Sequence, residues 1–229
     1  MENEKEILLI DKPAGVSSFF VVGKIRRKIS DKLGINPATG KKYKVKVGHA
    51  GTLDPFATGL LIILVGKGTK KANEFLKLDK EYETTIRLGE TSTTGDVEGE
   101  ISTNEIESIP TSEEISNVVK DFVGEIEQRV PAFSAVKING ERAYKLARKG
   151  EKVEMPKRKI HIYNIEILEY KWPELKIRCE VSSGTYIRQL GMDIGEKLGV
   201  GGYLTELRRT KIDKYRVEDA TTLEKYLSE

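Results

Sequence analysis

The chain is poor in the residues that build metal centres and disulfide frameworks. Its 229 residues include one cysteine, Cys179, and two histidines, His49 and His161. A single thiol excludes an internal disulfide. Two imidazoles and one thiol do not make a zinc-type ligand set, so no metal is expected. No apolar run approaches the roughly 20 residues that cross a bilayer. The opening Met1-Glu2-Asn3-Glu4-Lys5-Glu6 has no signal-peptide pattern, so a cytoplasmic protein without membrane contact is expected. Gly66-Lys67-Gly68-Thr69-Lys70 lacks phosphate-loop spacing, and no Gly-x-Ser-x-Gly elbow marks a hydrolase. Cys179 lies in the alternating stretch Leu175–Val181 and reads as a buried strand thiol.

What is present is an ordinary globular composition, 38% hydrophobic and 33% charged, with a net charge of +3. The charge is unevenly spread. Basic clusters recur at Lys24–Lys28, Lys41–Lys46, Lys67–Lys71, Lys157–Lys159 and Arg208–Lys211, while acid concentrates in Glu98–Asp121. Such segregation suits a polyanion groove on one face, and a solvated surface equally well.

Hydrophobic periodicity predicts a strand over Glu6–Ile10, then a turn at Asp11–Gly15. Ser17 or Ser18 can cap a helix to about Leu33, with Val22, Ile25, Ile29 and Leu33 on one face. Leu60–Val65 reads as a buried strand, Thr69–Lys77 as a helix and Tyr82–Leu88 as a strand. Another helix opens at Pro110–Glu114. Ile138-Asn139-Gly140-Glu141 holds an Asn-Gly turn, and Arg142–Arg148 reads as a short basic helix. Lys159–Tyr170 and Glu174–Ser182 read as paired strands, and Thr185–Leu198 as a helix ended by Gly199–Gly202. The class is α+β with one main sheet.

The sharpest feature is Gly48-His49-Ala50-Gly51-Thr52-Leu53-Asp54-Pro55-Phe56-Ala57-Thr58-Gly59, followed at once by Leu60–Val65. Three glycines and a proline fix unusual backbone shapes around one acid and one imidazole. The apolar run then anchors the loop in a core. An Asp before proline is also a common turn feature. Far downstream, Ser182-Ser183-Gly184-Thr185-Tyr186-Ile187-Arg188 places an Arg in the first turn of an amphipathic helix. An Arg beside a carboxylate keeps it ionised in an apolar pocket, and an ionised, partly desolvated Asp is a competent nucleophile.

The Gly48–Gly59 loop resembles the signature of the TruB family of pseudouridine synthases, Gly-His-x-Gly-x-Leu-Asp-Pro-x-Ala-x-Gly, at every fixed position. Asp11–Ser18 resembles the family's Lys-Pro-x-Gly-x-(Ser/Thr)-Ser opening, and Asp79-Lys80-Glu81-Tyr82 its Lys-x-Tyr motif. Val130–Gly150 resembles its RNA-gripping thumb, Gly184–Arg188 its Gly-Thr-Tyr-Ile-Arg motif, and Leu207-Arg208-Arg209 its Leu-Arg-Arg. The order is right, and the likeness covers nearly the whole chain.

The resemblance implies an α+β catalytic fold with a central, mainly antiparallel sheet flanked by helices and crossed by an RNA cleft. It implies isomerisation of uridine 55 in the tRNA T loop. Asp54 would be the nucleophile, Arg188 its ion-pair partner, and Tyr82 the platform for the flipped uracil, its hydroxyl assisting proton removal. His49 would fill the space of the displaced nucleotide. Leu207 would form apolar wall, Tyr186 would support the site, and Lys12 would contact phosphate. No cofactor is implied, because no group is donated and nothing is oxidised. The partner is the tRNA T arm, and a monomer is expected. The family usually continues into a C-terminal PUA domain, whereas this chain ends at Glu229. The expectation is therefore one catalytic domain over 1–229, with a thumb-like insertion at about 130–150 and no PUA domain. Ser92-Thr93-Thr94-Gly95-Asp96 resembles a family loop in which Thr93 replaces an Asp. A related synthase acting on another RNA, with or without a guide RNA, and a non-catalytic RNA-folding protein are the competing readings.

Overall fold

Residues 6–138, 140–150 and 154–229 are described by the computed structural model. In chain order the larger elements are β1 (Ile7–Lys12), α1 (Ser18–Leu33), β2 (Val47–His49), β3 (Thr58–Val65), β4 (Lys80–Leu88), α2 (Ser112–Lys120), β5 (Gly124–Arg129), β6 (Lys157–Lys171), β7 (Glu174–Val181), α3 (Ile187–Lys197) and β8 (Gly202–Ile212). They fall into two compact units. One runs to Tyr82 and resumes at Leu207; the other is Glu83–Glu206. The chain passes from the first to the second within β4 and returns within β8.

In the first unit, β1 and β3 are antiparallel neighbours, with Ile10 opposite Leu61. β2 is antiparallel to β3, with His49 opposite Ile63, and β8 is parallel to it, with Arg209 opposite Gly59. The unbroken apolar run of β3 has a direct cause: both its faces are covered. Leu61, Ile63 and Val65 pack with Val21, Val22, Ile25 and Ile29 of α1. Leu60, Ile62 and Leu64 face the other way, toward Phe75, Ile212 and Val217. Ser17 caps α1 by accepting from the Phe20 N–H at 3.1 Å. Ser18 turns inward instead. The helix expected over Thr69–Lys77 begins as a 3-10 turn, Gly66–Lys71, before α-helix at Ala72–Leu76.

In the second unit, β6 lies between β7 and β5, antiparallel to both. Cys179 is buried in β7, as its alternation predicts. Thr111 and Glu114 form a capping box at the start of α2. β8, like β5, is not revealed by periodicity; the inward positions of β8 include Arg209 beside Leu204, Leu207 and Ile212. The expected Asn-Gly turn falls on Asn139, outside the described residues; Lys137 and Ile138 pair with Arg142 and Glu141 on either side. The pairings of β1, β2, β5, β6 and β7 described above are antiparallel, β8 with β3, β1 with Thr221–Thr222 and the Asp96–Leu204 bridge are parallel, and the class is the expected mainly antiparallel α+β. No helix among the described residues is long and apolar enough to cross a membrane.

Helix α3 lies close to its neighbours through glycine. A Cβ on Gly195 would stand 2.3 Å from the Gly201 carbonyl carbon. Gly23, inside α1, has open space around its missing Cβ. Gly195→Ala is expected to destabilise by roughly 2–4 kcal/mol through backbone displacement. Gly23→Ala should stabilise by about 0.5–1 kcal/mol through helix propensity. Urea midpoints at constant slope check both.

Candidate active site

The loop that carries Asp54 is held from several sides by buried polar groups of the first unit. Arg209 on β8 is 1% exposed. Its Nε donates to the Leu60 carbonyl at 2.8 Å and its Nη2 to the Gly51 carbonyl at 3.1 Å, so one guanidinium ties both flanks of the loop. Gly59 is required by the same contact. Its φ is +102°, and a Cβ there would lie 2.3 Å from the Arg209 carbonyl oxygen. Ser18 both donates to the Leu53 carbonyl (2.9 Å) and accepts from the Leu53 N–H (2.8 Å), fixing the residue before Asp54. On the other side, the Pro55 carbonyl accepts from the Gly15 N–H at 2.9 Å. Arg208 forms a fork with Asp11, at 3.1 and 2.8 Å, and reaches the Thr58 hydroxyl at 3.4 Å.

Lys12 is fully buried, and its Nζ donates to the carbonyls of Pro13, Val16 and Pro55 at 2.8, 2.7 and 3.2 Å. That geometry makes it an organiser of the turn against Pro55. An ammonium enclosed in this way does not fit the phosphate contact expected of it.

His49 is half-buried. Its Nδ1 is buried without a hydrogen-bond partner among the described residues. Burial, and then the positive charge of Arg209, holds the imidazole below its usual titration range, so it is neutral at pH 7. A neutral ring suits the space-filling role expected of it. Lys80, whose Nζ donates to the Leu76 carbonyl at 2.8 Å and to that of Leu78, is pushed down to about 8 by burial and then by Arg209. Tyr82 and Leu207 are buried in the same unit, at 8% and 7% exposure.

The second unit holds Tyr186 and Arg188. Arg188 is 5% exposed and donates to the Thr94 carbonyl at 2.8 Å and the Phe133 carbonyl at 2.9 Å. Its Nη1 lies 3.3 Å from the Asp96 carboxylate, which is equally buried. Thr94 and Phe133 line a cleft of about 730 Å³, together with Arg129, Ile138, Met155 and Gln189 among others. Arg188 thus stitches two walls of that cleft. Tyr186 is held by its backbone: the buried Gln128 side chain donates to its carbonyl at 3.0 Å and accepts from its N–H at 2.9 Å. The Arg158 guanidinium lies over its ring at 5.5 Å.

The sequence pattern marked Ser18 only as a possible helix cap and assigned no role to Arg209, Gln128 or Asp96. Arg209, Ser18 and Asp96 do lie in motifs it singled out. Gln128 gives no signal, since its partner is 58 residues away.

Residues 39–187 match the family model described as TruB family pseudouridylate synthase (N terminal domain), and residues 188–228 match the tRNA pseudouridylate synthase B C-terminal domain. The chain is 48% identical over 223 residues to the tRNA pseudouridine synthase B of Phocaeicola vulgatus, covering 97% of this chain and 92% of that one. With the protein of the same name from Aquifex aeolicus the identity is 44%, over 96% and 73% of the two chains. A chain in the crystal structure of a Cbf5-Nop10-Gar1 complex is similar with a TM-score of 0.71 and 30% identity; the match covers 97% of this chain and about half, 53%, of that one.

Two substitutions test these clamps. Arg209→Met should cost about 1–3 kcal/mol for each carbonyl left without a donor. It should also raise the His49 pKa, read by NMR titration; an unmoved pKa would exclude the charge coupling. His49 is depressed in the folded state, so its contribution to stability is complete above about 6.5 and is lost as pH falls through the folded value. In Arg209→Met that loss should become smaller. Asp96→Ala leaves the Arg188 cation without its buried carboxylate and should cost about 3–5 kcal/mol, measured by urea unfolding.

Proposed function

Because the chain belongs to the TruB family of pseudouridylate synthases, we propose that it isomerises uridine 55 in the T loop of tRNA to pseudouridine, acting as a monomer in the cytoplasm. The observation that carries this reading is the Asp54 loop, a carboxylate-bearing segment whose backbone carbonyls at Gly51, Leu53, Pro55 and Leu60 each accept from a buried donor. Preorganisation of that kind suits a nucleophile, which must meet its target in one geometry.

The target uridine leaves the RNA stack at a cost of about a few kcal/mol. Stacking on Tyr82 returns roughly 1–3 kcal/mol. The neutral His49 ring fills the space of the displaced nucleotide, and Leu207 gives the pocket an apolar wall. Asp54 attacks the flipped nucleotide and Arg188 supplies the counter-charge. The glycosidic C–N bond breaks, the uracil turns, and C5 bonds to the sugar carbon. The proton lost from C5 is replaced by one gained at nitrogen, so uridine and pseudouridine have the same atoms and no outside group is consumed. The Tyr82 hydroxyl assists in removing the C5 proton. Tyr186, clamped by Gln128, sets the start of the helix that bears Arg188. The segment 130–150 acts as a thumb that holds RNA against the cleft lined by Phe133 and Ile138.

The curated relatives bearing a tRNA synthase name are more similar (48%) than the Cbf5 chain (30%), which favours tRNA over a guide-RNA-dependent substrate. The test is modification of an unmodified tRNA transcript, with pseudouridine mapped by chemical probing. Modification should occur at the T-loop uridine. Asp54→Asn should lower the single-turnover rate by at least about 10³-fold while RNA affinity changes less than threefold. Retained turnover in that variant would sink the mechanism.

A further inference from the structure

The net positive charge of this chain is concentrated in one stretch whose cations have no part in the reaction described above. Between Pro13 and Leu53 there are nine Lys or Arg and a single acid, Asp31, giving +8 in a chain whose total is +3. The rest of the chain is therefore net acidic. Of these cations only Lys28 is partly withdrawn, lying over the Tyr226 ring at 5.1 Å and donating to the Tyr226 carbonyl. The other eight are exposed. Asp31, the only acid, is shared by Lys42 and by Arg27 at 3.8 Å.

The cations are arranged with apolar surface among them. On α1, Phe20, Lys24 and Arg27 follow at i, i+4 and i+7 and form one solvent stripe. The Lys24 ammonium lies 5.2 Å from the Phe20 ring centroid. Phe19 is 70% exposed and Phe20 45%. At the far end of the helix a small hairpin pairs Ile35 with Lys42 and Asn36 with Lys41. It is joined to α1 by the Ser30 hydroxyl, which donates to the Tyr43 carbonyl at 2.5 Å, and by the Lys42–Asp31 pair. Ile35, in that hairpin, is 65% exposed. The face begins at the Asp54 loop, because Ser18 is bonded to Leu53, and it runs along 16 residues of helix, about 24 Å. Exposed rings beside exposed cations are what single-stranded or loop RNA requires: π-faces for bases and point charges for phosphates. A protein partner would have to be strongly acidic to match these charges.

The geometry points to a second RNA-docking face, formed by the solvent side of α1 and the Ile35–Lys42 hairpin, that holds tRNA beyond the T loop. This rests on the reading that tRNA is the substrate. Phosphates bind Lys24, Arg27, Lys41 and Lys44, and an unpaired base packs on Phe19 or Phe20.

The test compares Lys24→Glu/Arg27→Glu/Lys41→Glu and Phe19→Ala/Phe20→Ala with the unaltered protein. Direct binding to full-length tRNA transcript and to a short T-loop hairpin is measured across a salt series, alongside turnover. The charge reversals should weaken tRNA binding at least tenfold and flatten the log–log salt slope by about 2–3, at roughly 0.7–0.9 per phosphate. They should raise KM for tRNA and leave kcat and hairpin binding within twofold. The Phe pair should weaken tRNA binding about fivefold without changing the slope. Equal effects on tRNA and hairpin would overturn the placement of the bound RNA. Unchanged tRNA affinity and slope would overturn the proposal and leave the face to a protein partner. Absence of pseudouridine formation by the unaltered protein would count against the functional reading only, since the binding comparison is read without turnover.

Discussion

The geometry around Asp54 depends on a buried cation that has carbonyl oxygens, not a carboxylate, as its recorded hydrogen-bond partners. Arg209 is almost wholly enclosed, yet its guanidinium is spent on the carbonyls of Leu60 and Gly51. Arginine suits this use because its donors diverge in a rigid plane and reach two backbone oxygens at once. A lysine there would offer a point charge with no fixed fork. Burying a charge against neutral dipoles is unfavourable beside an apolar side chain of the same volume. What is gained is definition of the loop: its two flanks, separated by eight residues of which six are irregular backbone, are tied to one side chain. Burial, and then the same charge, depresses its basic neighbours, keeping His49 neutral and bringing Lys80 to about 8.

The second unit repeats the device. Arg188 binds the carbonyls of Thr94 and Phe133, and here the charge is compensated by the buried Asp96. Lys12 is a third example, with three carbonyl acceptors. In each case a cation in a chemistry-bearing motif is used first to fix backbone. A motif therefore records two demands, the reacting group and the frame that presents it, and residue type alone does not separate them. Lys12 illustrates the difficulty: a lysine in a Pro-Gly turn has the composition of a phosphate contact, and burial reveals its other task.

The parts of the fold legible in the sequence are those governed by local rules. The Ser17 cap, the face of α1 and the doubly buried β3 follow from spacing and run length, as does the β6–β7 pair around Trp172-Pro173. Strand β8 escaped because a buried Arg209 interrupts the apolar alternation that would announce it. The hydrogen-bond partners escaped for a different reason. Gln128 meets Tyr186 58 residues away, and Arg188 meets the Thr94 carbonyl 94 away. Nothing local encodes such distances. The Asp54 loop was legible because it is itself local, a run of glycines and proline around one Asp. Its supports were not, because they arrive from β1, α1 and β8.

The supports also bear on whether this scaffold catalyses or only grips RNA. Affinity for a polyanion needs exposed cations, which release counterions and tolerate imprecise placement. The stretch from Lys24 to Lys46 supplies them, with eight of its nine Lys and Arg side chains exposed. The cations around Asp54 are of the opposite kind: Arg209 and Lys12 are inaccessible to phosphate, and Arg208 is engaged by Asp11. A binding surface would gain little from burying charge at this cost. A nucleophile gains a great deal, because misplacement by about 1 Å can cost on the order of 10²-fold in rate. Buried cations that fix one carboxylate-bearing loop, next to exposed cations free to follow an RNA backbone, divide the molecule's charge between positioning and attraction.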